Sequence, residues 1–244
     1  MIKAYAKSDI GMVREINQDS FYISNSLDEI QLYMLADGMG GYKGGEVASS
    51  LAIQSAKSYI ENNFKDIEKD KDSIIQLIGS AMEYANMVVY EKAKEKEDLK
   101  IMGTTLEICL IYNNRAFIGH VGDSRIYRIR KDFMRKLTQD HSYVQKLVKD
   151  GTITQEEAAH HPQKNMLMKA LGCNAFVEPD VMVKGFLKDD IIIMNSDGLT
   201  NLVTQEQLFK EAKKDIEQAP KELVNLANEK GGYDNITVIV IKNI

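Results

Sequence analysis

The chain has 244 residues with 44% hydrophobic and 27% charged residues, a formal net charge of −5 and two cysteines. That length and composition suit one soluble domain spanning 1–244 with an ample core, and the acidic balance offers no electrostatic footprint for nucleic acid or an anionic membrane. Cys109 and Cys173 lack metal-ligand spacing and read as reduced core residues. No apolar run is long enough to span a membrane, and the opening Met1-Ile2-Lys3-Ala4 lacks a signal-peptide pattern, so the expected location is the cytoplasm.

Residues 2–36 alternate short apolar runs with turns, as β-structure does, and the clearest strand is 30–35 after a polar turn at 25–29. A helix is expected over 45–62. A second opens on a Ser73/Gln76 capping box and runs to about 95. The mixed-sign runs at 65–72 and 92–98 read as solvated helix ends and linkers. From Thr104 the apolar period drops to two. Strands at 104–112 and 115–121 flank Asn113-Asn114, a pair that tolerates the positive φ of a tight hairpin turn. Further strands are expected at 124–130 and 133–137. A helical insertion then spans 141–165, with Ser142/Gln145 and Thr154/Glu157 as caps. Strands return at 181–186 and 190–195, helices at 204–213 and 220–229, and the β-branched run 236–241 reads as a central buried strand.

The chemistry is written at strand ends. The apolar run Leu32–Ala36 stops at Asp37 and then enters a stretch with five glycines in eight residues, Gly38 to Gly45. This stretch fits neither a Walker A loop nor a clean dinucleotide fingerprint, and a carboxylate there suggests a cation. Aspartates recur in Gly122-Asp123-Ser124, Ser196-Asp197-Gly198 and Tyr233-Asp234-Asn235, while Arg14 precedes Asp19 by five residues. An aspartate beside a glycine is ordinarily a turn or cap residue. Several at the ends of apolar strands gather carboxylates at one edge, where they repel unless cations lie between them. An all-oxygen set suits magnesium or manganese, and two such ions can activate water for in-line phosphoryl displacement. Arg14 is the fork best shaped for phosphate oxygens; its alternative is a surface ion pair with Glu15 or Asp19.

Taken in order, Arg14-x-x-Asn17-Gln18-Asp19, Ala36-Asp37-Gly38-Met39-Gly40-Gly41, Met102-Gly103-Thr104-Thr105, Gly122-Asp123-Ser124-Arg125, Ser196-Asp197-Gly198-Leu199 and Asp234-Asn235-Ile236-Thr237 span nearly the whole chain. The set resembles the metal-dependent protein phosphatases of the PPM (type 2C) serine/threonine class, in their compact bacterial branch. The resemblance implies an α+β fold, a four-layer α-β-β-α sandwich of two central antiparallel sheets flanked by helices, with 141–165 as a helical flap beside the active site. It implies Mn2+ or Mg2+: Asp37, Asp197 and Asp234 on one ion, Asp37 and the Gly38 carbonyl on a second, Asp123 with Asp197 on a third found in bacterial relatives. Asp19 would act through water and Arg14 would hold the substrate phosphate. A metal-bridging hydroxide would attack phosphorus directly, reversing Ser/Thr kinase phosphorylation of serine and threonine in proteins. A Ser/Thr kinase and its substrates are the implied partners, and a monomer the implied state. Rivals are a relative acting on small phosphate esters or an anti-sigma-factor antagonist, and a silent phosphoprotein-binding module.

Two positions depart from the family pattern. Met39 stands where many members have a histidine that protonates the leaving group, and a thioether has no proton to give. Gln18 stands where many have glutamate, which removes one charge near the second ion. Among the histidines, His141 reads as a local hydrogen-bonding residue with a catalytic acid as its alternative, His120 as packed within a strand, and His160 and His161 as surface residues. Met82, Met87, Met102, Met166, Met168, Met182 and Met194 read as core filler.

Overall fold

The computed structural model describes residues 1–25, 30–40, 44–95 and 102–244. Most of the turn expected at 25–29, the 41–43 part of the glycine-rich stretch and the 96–98 part of the charged run lie outside the described residues. In chain order the elements are β1 (Ile2–Asp9), β2 (Asp19–Ile23), β3 (Gln31–Met39), α1 (Gly44–Asn63), α2 (Lys71–Glu95), β4 (Gly103–Thr104), β5 (Leu106–Tyr112) and β6 (Arg115–Val121). They continue with β7 (Arg125–Arg130), β8 (Phe133–Lys136), α3 (Tyr143–Lys149), α4 (Gln155–His160), β9 (Asp180–Gly185), β10 (Ile191–Asn195), α5 (Asp197–Thr200), α6 (Gln205–Lys214), α7 (Ala219–Glu229) and β11 (Ile236–Asn243).

Two antiparallel sheets result, one ordered β1-β11-β10-β7-β8, the other β2-β3-β5-β6-β9 with β4 paired to β3. Side-chain parity explains why they stack. In β3, Leu32, Met34 and Ala36 enter the core beneath α1 and α2, whereas Tyr33 and Leu35 face the other sheet. In β11, Val238 and Val240 pack beneath α6 and α7, while Ile239 and Ile241 face inward to meet them. Strands apolar on both faces need cover on both, which dictates helix, sheet, sheet, helix. The α-β-β-α sandwich expected from the resemblance is the observed architecture. Burying each such side chain contributes about 1.5–3 kcal/mol.

The Asn113-Asn114 turn has φ of 47° and 57°, as a two-residue hairpin requires. The Ser142, Thr154 and Thr204 side chains all cap helices, and Thr154 and Thr204 form complete capping boxes. The expected start of α2 is corrected. The helix begins at Lys71, because the Asp70 carboxylate accepts from the N–H groups of Asp72 and Ser73 at 2.8 and 2.9 Å and so caps it three residues earlier, with the Ser73 hydroxyl donating to the same carboxylate. Cys109 is buried as expected, but Cys173 is exposed, in the loop before β9. Met87, Met166 and Met168 are likewise about half exposed rather than core filler, at 49%, 51% and 49%. Among the described residues, no helix is long and apolar enough to cross a membrane.

Candidate active site

The layer between the sheets is hydrocarbon along most of its length and turns polar at one end. Asp37 continues the inward parity of Tyr33 and Leu35, and Asp19 is its register partner on β2. From the other sheet, Ser196 follows Ile192 and Met194 on the inward side, and Thr237 precedes Ile239 and Ile241. Asp197 heads α5, Asp234 lies just before β11, and Asp123 sits in the turn from β6 to β7. Both sheets thus deliver carboxylates to one edge. Arg14, Gln18, Asp37, Gly38, Met39, Thr105, Asp123, Asn165, Leu167, Asp197 and Asp234 line a cavity of about 230 Å³ there. Asp19 does not line it; this residue is buried beside Asp37, its Oδ2 accepting from the Ser196 hydroxyl at 2.8 Å.

The backbone beneath these side chains is held at close range. Asn235 accepts the Gln18 N–H on Oδ1 at 2.8 Å and donates from Nδ2 to the carbonyls of Ile10 and Ile16 at 3.0 and 2.9 Å. That one amide pins the Arg14-bearing loop to the start of β11. Gly38 and Gly45 lie back to back, so a Cβ on Gly38 would come within 2.2 Å of the Gly45 carbonyl oxygen. The Thr105 hydroxyl accepts from the Asp37 N–H at 2.9 Å and pairs with the Ser124 hydroxyl at 2.9 Å, giving Asp37 and the Asp123 turn a common base.

Electrostatics identify what the cavity is built for. Burial, reinforced by Asp197 and Asp234, pushes Asp19 up to about 7 despite the opposing Thr237 and Ser196 hydroxyls. Burial raises Asp37 well above the usual carboxylate value, and Asp19, Asp197, Asp123 and Asp234 all add to the effect, so Asp37 is the hub of the set. Asp123 is pushed up to about 8, by burial and then by Asp197. Asp197 is raised by burial and then by Asp234, against hydrogen bonds with Asn201 and Asp37. Among the described residues no three ligating groups converge on one point; the carboxylates line the cavity wall. Asp19 Oδ1 is buried with no hydrogen-bond partner. A purely oxygen donor set with unsatisfied buried charge fits hard divalent cations.

Arg14 stands 53% exposed at this cavity, its Nη2 2.8 Å from Asp234 Oδ2. The ion pair that the Arg14 side chain makes is with Asp234, not with Glu15 or Asp19 as its alternative role supposed, and the Asn235 clamp brings the loop to β11. Met39 lines the cavity, and His141 does not. The His141 ring is occupied elsewhere, with Nδ1 accepting from the Gly122 N–H and Nε2 facing Asp180. Thr105, Ser196 and Asn235 were legible only as members of motifs, without roles. Asn201 and Asn165 carried no signal, since their contribution depends on chain segments brought together by folding.

The family model described as "Protein phosphatase 2C" matches residues 13–231. A serine/threonine phosphatase stp of Listeria innocua is 34% identical over 241 residues, covering 97% of this chain and 94% of that protein. The S. agalactiae serine/threonine phosphatase structure superposes with a TM-score of 0.91 at 35% identity, covering 100% of both chains. The catalytic domain of serine/threonine protein phosphatase PstP, solved in complex with two manganese ions, does so with a TM-score of 0.86 at 33% identity, covering 99% of this chain and 97% of that one.

Proposed function

The chain belongs to the protein phosphatase 2C family and is a metal-dependent serine/threonine protein phosphatase, and we propose that it cleaves phosphoserine and phosphothreonine at the cavity walled by Asp37, Gly38, Asp123, Asp197 and Asp234. One observation carries the assignment: half-buried carboxylates from both sheets line one cavity with Arg14 beside them, and the raised proton affinity of Asp37, Asp123 and Asp197 marks a concentration of negative charge that cations relieve.

Asp37, Asp197 and Asp234 would hold one Mn2+ or Mg2+, Asp37 and the Gly38 carbonyl a second, and Asp123 with Asp197 a third, with Asp19 supporting them from the buried side of Asp37. When bound, such ions supply the positive charge that acidifies a water and neutralises phosphoryl oxygens. Arg14 presents its guanidinium to the remaining phosphoryl oxygens, exchanging Asp234 for substrate as a two-pronged donor. Water oxygen adds to phosphorus as the serine or threonine oxygen departs, and no group of the chain becomes phosphorylated. Met39 offers no proton to that oxygen, and both ring nitrogens of His141 are engaged away from the cavity, so the alkoxide takes its proton from water. The same reading takes 1–244 as one catalytic unit, monomeric and cytoplasmic, with 141–165 bordering the site and a Ser/Thr kinase supplying its substrates.

Phosphate release from a phosphothreonine peptide, followed in chelator and across a manganese titration, tests the assignment. Turnover absent in chelator, restored by manganese and lost in Asp37→Asn and Asp234→Asn is the expected result. Equal turnover with and without metal would overturn it.

A further inference from the structure

The turn that presents Asp123 is held by a residue outside the cavity. Gly122 (φ +123°) turns both of its backbone groups to His141: its N–H donates to His141 Nδ1 at 3.2 Å, and its carbonyl accepts from the His141 N–H at 2.7 Å. The opposite face of Gly122 is closed by Thr105, whose Cγ2 would lie 2.4 Å from any added Cβ. Three consecutive residues grip this region. Gln139 accepts from His120 Nε2 at 2.8 Å, Asp140 receives Arg125 through two nitrogens at 2.7 and 3.0 Å, and His141 takes Gly122.

The His141 ring is itself fixed. Nδ1 accepts, so the proton resides on Nε2, which faces Asp180 Oδ2 at 3.3 Å. Lys169 lies 3.9 Å from the other Asp180 oxygen. His120 stacks on the ring with centroids 4.5 Å apart and planes at 29°, and is locked in turn by Glu107 at 2.6 Å. Burial and the neighbouring His120 lower His141 to about 4, which keeps its acceptor nitrogen unprotonated at neutral pH. On the far side, the His141 carbonyl accepts from the Met168 N–H at 2.7 Å, and Ser142 bridges to Leu167, a wall of the cavity.

We propose that His141 is a positioning residue that sets the Gly122–Asp123 turn for divalent-cation binding and couples it to the Leu167–Met168 segment, whose Leu167 lines the same cavity. The proposal rests on the reading of Asp123 as a metal ligand. It requires a hydrogen-bond acceptor at the position of Nδ1, whereas a general packing role requires only a side chain of similar bulk. Asparagine places its Oδ1 near that position, and glutamine places its amide nearer Nε2.

Manganese binding separates these roles without reference to turnover, with free Mn2+ measured by its electron paramagnetic resonance signal during titration of the parent, Asp123→Asn, His141→Asn and His141→Gln. Asp123→Asn is expected to lose one binding event. His141→Gln is expected to weaken that same event roughly tenfold, as loss of one buried hydrogen bond does, and His141→Asn to hold it within about threefold of the parent. If Asp123→Asn binds as the parent does, the ligand reading fails and the proposal with it. If Asp123→Asn loses the event while the two His141 variants both match the parent, or are weakened equally, positioning by His141 is overturned and Asp123 stands as a ligand.

Discussion

Asp19 and Asp37 are register partners on adjacent antiparallel strands, two half-buried carboxyl groups side by side on the inward face of one sheet. Such a pair is costly in the ionised state, and its cost fixes the direction of a pH dependence. Asp19 is pushed up to about 7 and Asp123 to about 8 from an ordinary 3.8, with Asp37 raised in the same sense. A carboxyl with a higher affinity for protons in the folded than in the unfolded chain stabilises the fold below its unfolded value, and that contribution is lost as pH rises through its folded value. In chelator, Tm is therefore expected to fall as pH climbs from about 4 to about 8. Asp37→Asn, which keeps the shape and removes the charge, should raise Tm at the upper end by several degrees while abolishing turnover. Manganese should flatten the profile of the parent. Differential scanning calorimetry across that range checks all three outcomes; a metal-free Tm that rises with pH would refute the charge assignment.

Arg14 and Asp234 test the separation of function from stability. The pair is short at 2.8 Å, but the side chains are 53% and 35% exposed, and an exposed pair contributes about 0–1 kcal/mol. Arg14→Ala is expected to leave Tm within about two degrees of the parent and lower kcat/KM on a phosphopeptide by about 10- to 100-fold, through loss of a charge-assisted fork on the phosphoryl group. Arg14→Lys should recover only part, because an ammonium cannot grip two oxygens in one plane. Steady-state kinetics on the three proteins decides it. Loss of stability in parallel with loss of rate would make Arg14 a structural residue.

How much of this was legible before folding depends on how local each cause is. The hairpin strands 106–112 and 115–121, the positive-φ Asn113-Asn114 turn and the Thr154 capping box are decided within a few residues and are found as expected, except that the strand expected from Thr104 starts at Leu106, with Thr104 in the short β4 that pairs with β3. The start of α2 was misread by one turn because Asp70 and Ser73, three residues apart, are both N-cap residue types, and only geometry shows that Asp70 takes the role while the Ser73 hydroxyl donates to it. The aspartates were legible because each interrupts an apolar strand. Their supports were not. Asn235 acts on Ile10, Ile16 and Gln18, more than 215 positions away along the chain, and Ser196 acts on Asp19, 177 positions away. Exposure of Cys173 and Met166 likewise follows from the path of the segment after α4, on which hydropathy is silent.

Gly38 and Gly198 are expected to be intolerant for steric reasons alone. A Cβ at Gly38 would stand 2.2 Å from the Gly45 oxygen and 2.5 Å from that of Gln18; at Gly198 it would stand 2.0 Å from the Asn235 oxygen. All three obstacles are backbone, so relief requires moving β3 or α5 and with them Asp37 or Asp197. Gly38→Ala and Gly198→Ala should each cost about 1–3 kcal/mol of overpacking and weaken manganese binding in proportion to the displacement. Gly151→Ala is the control: its added Cβ meets nothing within 4 Å, although φ is +73°, so its smaller cost is conformational strain remote from the metal ligands. Urea denaturation with calorimetric metal titration distinguishes these cases. Parent-like manganese affinity in Gly38→Ala would remove the Gly38 carbonyl from the ligand set.

Asn235 makes the last prediction, because its side chain makes three hydrogen bonds from the start of β11 to the loop bearing Arg14. Asn235→Ala deletes an acceptor for Gln18 N–H and donors to the Ile10 and Ile16 carbonyls, and leaves those three backbone groups to find other partners. At about 0.5–1.5 kcal/mol per net hydrogen bond, the expected destabilisation is about 2–4 kcal/mol. Asn235→Asp discriminates further. The carboxylate can still accept from Gln18 but cannot donate to either carbonyl, and it adds a negative charge next to Asp234. Stability should then fall by a similar amount, while manganese affinity should weaken in both variants and weaken less in Asn235→Asp, whose added charge lies next to Asp234. Urea unfolding with manganese titration reads both quantities from the same samples. An alanine variant with parental stability and parental manganese affinity would show that the loop holds its place without the amide.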